Sequence, residues 1–437
     1  MINRNAPRFT IGVSALSIAL GSASGALAQA TSPTAPPSAS TLALQAQTEA
    51  EAKNRVSNSI DLSGSVGYSS NSYLDPTTGG SSNGSLFGRI SALATHSVIS
   101  NRSTVNVSAY VENQTYITEN RGSTPIFDLN ANIRYVLTPR LDVYGSAGFS
   151  GDIGGQLNNR FTSLPSTPAP VDTTNPLPPI NVLDPNLISL NRRQYRASGQ
   201  AGLSYKLTER DFVNATVGFA RVFFTRSDST LGYRTLNGSL GWNRVLSERA
   251  TVGLRVSASR SDYRAGDDTT IISPAVTASL QLAEDWSLSG AVGASFVKSS
   301  FTTAGKSRST SFSGDVSICK SGELERLCAG ASRSTQASIG QNVVTVTAAT
   351  LSYSRRIGAL STIQVSADVS RSSGGDSLLI ARKSTYYGLN ASFDRKLSQR
   401  LSTGINGSIR RVERTGGSIP TDTSGSIFLR YRLGDLQ

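Results

Sequence analysis

The chain of 437 residues carries a formal net charge of +13, yet only 16% of its residues are charged, against the roughly quarter usual in soluble domains. Ser, Thr, Asn and Gly fill the gap, a mix suited to many short strands with one apolar and one neutral-polar face. The basic residues lie singly, with no run and no nucleic-acid motif, so nucleic acid is set aside as a partner; a single histidine, His96, excludes a multi-histidine metal site, and two cysteines are too few for a disulfide scaffold.

At the N-terminus, Arg4 and Arg8 precede an uncharged apolar run over residues 9–20, and Ala26-Leu27-Ala28 follows with the small-x-small pattern of a signal-peptidase site. The run is well short of the ~20 residues a spanning helix needs. Residues 1–28 are therefore expected to be a secretory signal. Residues 29–40, rich in Pro, Ser, Thr and Ala, are expected to be disordered. Residues 41–55 hold helix formers and suit a short helix, so 29–55 as a whole is expected to be a periplasmic linker.

From residue 56 to 437 the hydrophobic period is two. Leu141, Val143, Gly145, Ala147 and Phe149 alternate with Asp142, Tyr144, Ser146, Gly148 and Ser150; Leu401, Thr403, Ile405, Gly407 and Ile409 alternate with Ser402, Gly404, Asn406, Ser408 and Arg410. A turn recurs as Leu137-Thr-Pro-Arg140, Leu207-Thr-Glu-Arg210, Leu246-Ser-Glu-Arg249 and Leu397-Ser-Gln-Arg400, with variants at Ile99–Arg102 and Leu282–Asp285. Each is short and polar, as a type I turn requires. Longer Gly-, Ser- and Arg-rich connections are expected at 71–84, 151–190, 299–309, 372–382 and 413–424, the second of them proline-rich. Short turns at one end and long loops at the other, with an apolar face kept throughout, predict an all-β, transmembrane, antiparallel up-and-down barrel. Short turns near residues 101, 139, 209, 248, 285, 323, 358 and 399 give about 18 strands, within a range of 16–18, and an even count places both chain ends in the periplasm. A soluble β-helix or β-sandwich array is the alternative.

Tyr135, Tyr205, Trp242, Trp286, Tyr353 and Tyr431 all fall on the apolar parity near a short turn, where an interfacial girdle is expected. Cys319 and Cys328 flank one short turn on the polar parity and are expected to pair across the hairpin in an oxidising compartment. Their spacing fits neither zinc nor a catalytic CxxC. His96 sits near a short turn, the wrong end for an outer-leaflet enzyme, and no catalytic, cofactor or metal set emerges. The polar parity carries Arg196, Lys206, Arg255, Arg410, Arg430 and Arg432 beside Glu112, Asp142, Asp315, Asp368 and Asp394. Two readings stay open: charges paired across the lumen as structure, or a water-filled pore favouring anionic solutes. Basic residues near the long connections, among them Arg234, Arg260, Arg308 and Arg371, suit lipopolysaccharide phosphates.

The signal, the alternating strands, the Leu-Ser/Thr-x-Arg turns and the closing Ile427-Phe-Leu-Arg-Tyr-Arg-Leu433 together resemble Gram-negative outer-membrane β-barrel proteins of the porin-like type, some of which are linked to exopolysaccharide export. The resemblance covers residues 56–437 and implies outer-membrane lipid, lipopolysaccharide and the barrel-assembly machinery as partners, with anionic solutes or polysaccharide as cargo. Such barrels commonly end in an aromatic residue that the assembly machinery reads. This chain ends Leu433-Gly-Asp-Leu-Gln437, so Tyr431 or Leu433 would serve, or recognition is weaker. The rival readings are a structural or adhesive surface barrel with an occluded lumen and a lipid-modifying barrel enzyme.

Overall fold

The computed structural model describes residues 55–71, 84–117, 124–153, 193–224, 232–263, 267–301, 305–338, 342–374, 383–415 and 417–435. The expected signal at 1–28, the linker up to residue 54, and most of the connections at 71–84, 151–190 and 372–382 lie outside the described residues. The first six strands are β1 (Arg55–Ser69), β2 (Ser85–Ile99), β3 (Ser103–Tyr116), β4 (Thr124–Thr138), β5 (Leu141–Ile153) and β6 (Arg193–Lys206). Then follow β7 (Asp211–Phe224), β8 (Tyr233–Ser247), β9 (Ala250–Tyr263), β10 (Asp268–Gln281), β11 (Trp286–Phe301) and β12 (Gly305–Ser321). The last six are β13 (Glu325–Ser338), β14 (Asn342–Ile357), β15 (Ser361–Ser373), β16 (Lys383–Lys396), β17 (Leu401–Arg414) and β18 (Gly417–Gly434).

Every strand pairs antiparallel with its neighbours in sequence, and β1 pairs with β18, so the 18-stranded sheet closes on itself. Closure removes the exposed edges that an open sheet would leave. Both ends of the barrel segment meet at the short-turn end, where Ser59 lies opposite Gly434. The apolar face points out: Ile90 is 75% exposed, Val66 68%, Val292 61% and Ile427 61%. The polar face points in, where Ser and Thr hydroxyls pair across strands, as in Ser63–Ser91 at 2.6 Å, Thr216–Ser239 at 2.7 Å and Ser408–Ser424 at 2.6 Å.

The repeated turn has a specific cause. In each copy the Ser or Thr hydroxyl accepts the backbone N–H of the Arg two residues on: Thr138 from Arg140 at 3.3 Å, Thr208 from Arg210 at 3.1 Å, Ser247 from Arg249 at 3.3 Å and Ser398 from Arg400 at 3.2 Å. The hydroxyl satisfies a donor that the sheet ladder has left behind. In the variant Leu282–Asp285 an Ala takes its place, and the Gln281 side chain reaches round to donate to the carbonyls of Ala283 and Glu284. All eight expected short turns lie between strands. Two expected long connections do not hold: β11 runs on to Phe301 and β12 starts at Gly305, while β17 runs to Arg414 and β18 starts at Gly417. There both faces of the strands are polar, so the alternation that marks a strand is missing.

Cys319 and Cys328 are register partners on β12 and β13 and form a disulfide. The bond closes a loop with a sequence separation of only nine. Cys319→Ser should therefore still give a closed barrel, with a loss of at most about 2–3 kcal/mol. The check is unfolding of wild type and variant in the presence and absence of reductant; a variant that fails to assemble would show that the bridge is needed for folding.

Candidate functional site: the lumen and its short-turn mouth

The strand registers place all six basic residues of the polar parity on the inner face: Arg196 opposite Ser150, Lys206 opposite Phe212, Arg255 opposite Ala275, Arg410 opposite Gly388, Arg430 opposite Ser402 and Arg432 opposite Asp61. Four of them face a carboxylate. Arg432 makes a two-pronged contact with Asp61, both arms at 2.7 Å. Arg410 holds Asp422 with arms of 3.1 and 2.5 Å, Arg430 reaches Asp394 at 3.3 Å, and Arg255 lies 3.6 Å from Asp315. Arg196 and Lys206 make no ion pair among the described residues. A further inner group joins Arg89, Glu112 and Tyr110, whose hydroxyl donates to Glu112 at 2.5 Å.

The two halves of the lumen differ. Towards the long connections, wall side chains are buried nearly all round: Phe87 and Tyr116, Thr269 and Ile271, Ser295 and Val297, Tyr386 and Val412. One cause is visible in the register. Pairing of β12 with β13 stops at Gly314 and Arg333, although both strands continue. Beyond that point Thr335 on β13 bonds to the hydroxyl of Ser311 on the inner face of β12, and β13 touches β10. The β13–β14 hairpin thus leans across the inner wall, and Val344 and Val346 have no exposed surface.

Towards the short turns the lumen opens into a cavity of about 850 Å3. Its lining includes Arg55, Arg356, Lys396, Arg400, Arg430 and Arg432, against the acids Asp61 and Asp394. Six cations against two anions, in a concave vestibule, produce a positive potential at the mouth. The sequence reading missed Arg55, Arg356, Lys396 and Arg400, because they lie at strand ends and in a turn where the alternation fades.

The aromatics Tyr135, Tyr205, Trp242, Trp286, Tyr353 and Tyr431 lie on the outer face by register, beside outward Val143, Leu141, Val213, Leu288, Val365 and Leu401 or on the same strand two residues away. At the other end of the barrel, Phe127, Phe149, Tyr195 and Phe223 stack side by side across β4 to β7, with ring centroids 5.3 Å apart for Phe127–Phe149 and for Tyr195–Phe223. Tyr205 and Tyr195 are ten residues apart on one strand. At ~3.3 Å per residue and a ~40° tilt, that separates the two aromatic rows by about 25 Å, the height of the apolar band of an outer-membrane barrel. His96 lies on the same face as Val56 and Ile60, opposite Asn58, with which it shares a hydrogen bond of 2.7 Å. Among the described residues no group of three His, Cys, Asp or Glu is placed to hold a metal.

Solved structures similar to this one include OccK2 from Pseudomonas aeruginosa, with a TM-score of 0.44 and 10% identity over 87% of this chain and 98% of that one. A BenF-like porin from Pseudomonas fluorescens gives 0.44 and 9%, over 87% and 99% of the two chains. The siderophore receptor PirA from Pseudomonas aeruginosa gives 0.40 and 12%, over 87% and 80%. No family model matches the chain. No curated protein matches it. Likeness this distant leaves the function to be argued from the residues of the chain itself.

Proposed function

We propose that the chain is a porin-like channel of a Gram-negative outer membrane, secreted by its N-terminal signal, with both ends in the periplasm and a preference for small anionic solutes. The vestibule carries this reading: an aqueous mouth with six cations against two anions, inside a barrel whose outer face carries apolar and aromatic residues. A positive wall lowers the energy of an entering anion, and the weak, multi-site contacts of scattered guanidiniums allow it to leave. Export of a polysaccharide is a narrower form of the same reading, supported by the hydroxyl pairs along the wall. A second reading, a surface barrel with an occluded lumen, is favoured by the buried walls of the long-connection half and the leaning β13–β14 hairpin.

Single-channel conductance of the refolded protein in a planar bilayer separates the two. Stable steps with a reversal potential shifted towards anions support the channel; a folded, silent barrel supports occlusion. Arg356 and Lys396 make no ion pair among the described residues, so Arg356→Glu with Lys396→Glu alters the field at the mouth without breaking an ion pair. The balance at the mouth becomes four against four, and the anion preference should vanish. Unchanged selectivity in the double variant would remove the vestibule from the mechanism.

A further inference from the structure

One stretch of wall is attached on a single side. The β13–β14 ladder runs to Ser338 opposite Asn342, and the β14–β15 ladder to Thr345 opposite Ser373. The β12–β13 ladder stops at Gly314 opposite Arg333, although β12 starts at Gly305 and β13 ends at Ser338. The hairpin is therefore hinged along β15 and detached from β12. It has swung inward. Thr335, on the outer parity of β13, bonds at 2.7 Å to Ser311 on the inner face of β12, and the backbone of Ser338 meets the Tyr263 hydroxyl on β9. Beneath it Tyr263, Thr269 and Ser299 are buried, while residues 305–310 of β12 are exposed on both faces.

The two bare edges are fit to join. Carried on at the same register, the ladder would set Ser313 against Ser334 and, at its far end, Ser309 against Ser338. Ser309, Ser311 and Ser313 would face the lumen with Ser334, Gln336 and Ser338, and Thr310 and Phe312 would face out with Thr335 and Ala337. The join needs no bulge and puts no charge on either face. An unpaired edge is what barrel closure otherwise removes. Burial offsets it here: Val344 and Val346, on the inner parity of β14, have no exposed surface with the hairpin leaned in. Apolar side chains at two inward positions serve no purpose in a water-filled wall, but they fill the lumen when the hairpin lies across it. Ladder bonds favour one position and apolar burial the other, the balance that a two-state element requires.

We infer that residues 334–338 of β13 and 343–348 of β14 are the moving part of a gate. Leaned in, they close the long-connection half of the lumen; zipped to residues 309–313 of β12, they complete the wall and open it. The Cys319–Cys328 bond lies in the paired stretch below the split and stops it from running on to the short turn. The inference rests on the channel reading, and it reconciles the buried half of the lumen with the open vestibule.

Two engineered crosslinks test it. S311C/T335C ties the leaned position, where the two hydroxyls are 2.7 Å apart. S309C/S338C ties only the zipped one, because in the leaned position Ser338 lies against β9, three strands and ~14 Å of wall from β12. Each variant is refolded and oxidised, its bridges are located by peptide mapping, and its single-channel conductance is measured in a planar bilayer beside wild type. The 309–338 bridge should form and hold the channel at its largest step; the 311–335 bridge should abolish conductance. A 309–338 bridge that does not form in a folded, conducting barrel, or equal conductance of the two bridged proteins, would overturn the gate and leave the channel standing. A 309–338 bridge made in a barrel that is silent in every form would overturn the channel reading and leave only a hairpin that moves. Should S309C/S338C not refold, V344S/V346S removes the burial that holds the hairpin in and should raise the time spent open several-fold; an unchanged open time overturns the gate.

Discussion

Val292→Arg should cost the barrel about 2–4 kcal/mol in a bilayer, the range for a cation at the midplane of a lipid-facing strand. Val292 is at the middle of β11, 61% exposed, between Val276 and Gly314 on the outer face. On a water-exposed strand the same change would fall within about 0.5 kcal/mol of neutral. The same substitution at Thr310, which faces outward beside Phe296 closer to the long connections, should cost about 0–1 kcal/mol, because the penalty fades towards the headgroups. Denaturant unfolding of the three proteins in lipid vesicles, followed by tryptophan fluorescence, gives the comparison. Trp242 and Trp286 report directly, as both lie on the outer face. Equal, small losses at the two positions would sink the claim that this face meets lipid.

The outcome bears on what could be read from the sequence. The apolar parity could be read because it runs unbroken along the strands: residues 141–149 alternate, with one face free of charge at every step. The short turns were visible because one hydroxyl at a fixed offset captures one N–H, as Thr208 does for Arg210. Towards the long-connection end of β12 that alternation ends. Lys306, Arg308 and Thr310 face out while Ser307, Ser309 and Ser311 face in, and neither set is apolar, so a 17-residue strand looked half loop. The charge pairing was hidden for another reason. Parity shows that Arg432 and Asp61 face inward; only closure of the sheet brings residues 371 apart in sequence to 2.7 Å. The lean of the β13–β14 hairpin left no mark on periodicity at all, because it changes which wall a face packs against and not the alternation within the strand.

Arg410→Ala should be the most damaging single change at the closing seam, with a loss of about 3 kcal/mol, the low end for breaking a buried ion pair. Asp422, at 0% exposure, accepts from Arg410 on β17, from the Ser69 hydroxyl on β1 at 2.7 Å and from the Asn71 N–H at 2.9 Å. Removing the guanidinium leaves a carboxylate held by neutral donors alone. The change weakens the join between β1 and β18, the pairing with the greatest sequence separation, whose loop-closure entropy is largest. The seam is fixed at its other end by Asp61 with Arg432, and by Asp435, which accepts from the Asn58 N–H at 2.8 Å. A slip of β18 by one residue would turn Asp422 and Arg432 to the outer face and part Arg432 from Asp61, so charge at both ends of the seam holds the register together with the apolar alternation. Arg410→Met with Asp422→Asn removes both charges and should recover most of the loss. The temperature at which the barrel loses its compact gel mobility reads both variants. If the double variant unfolds as early as the single one, the seam depends on the shape of these side chains and not on their charge.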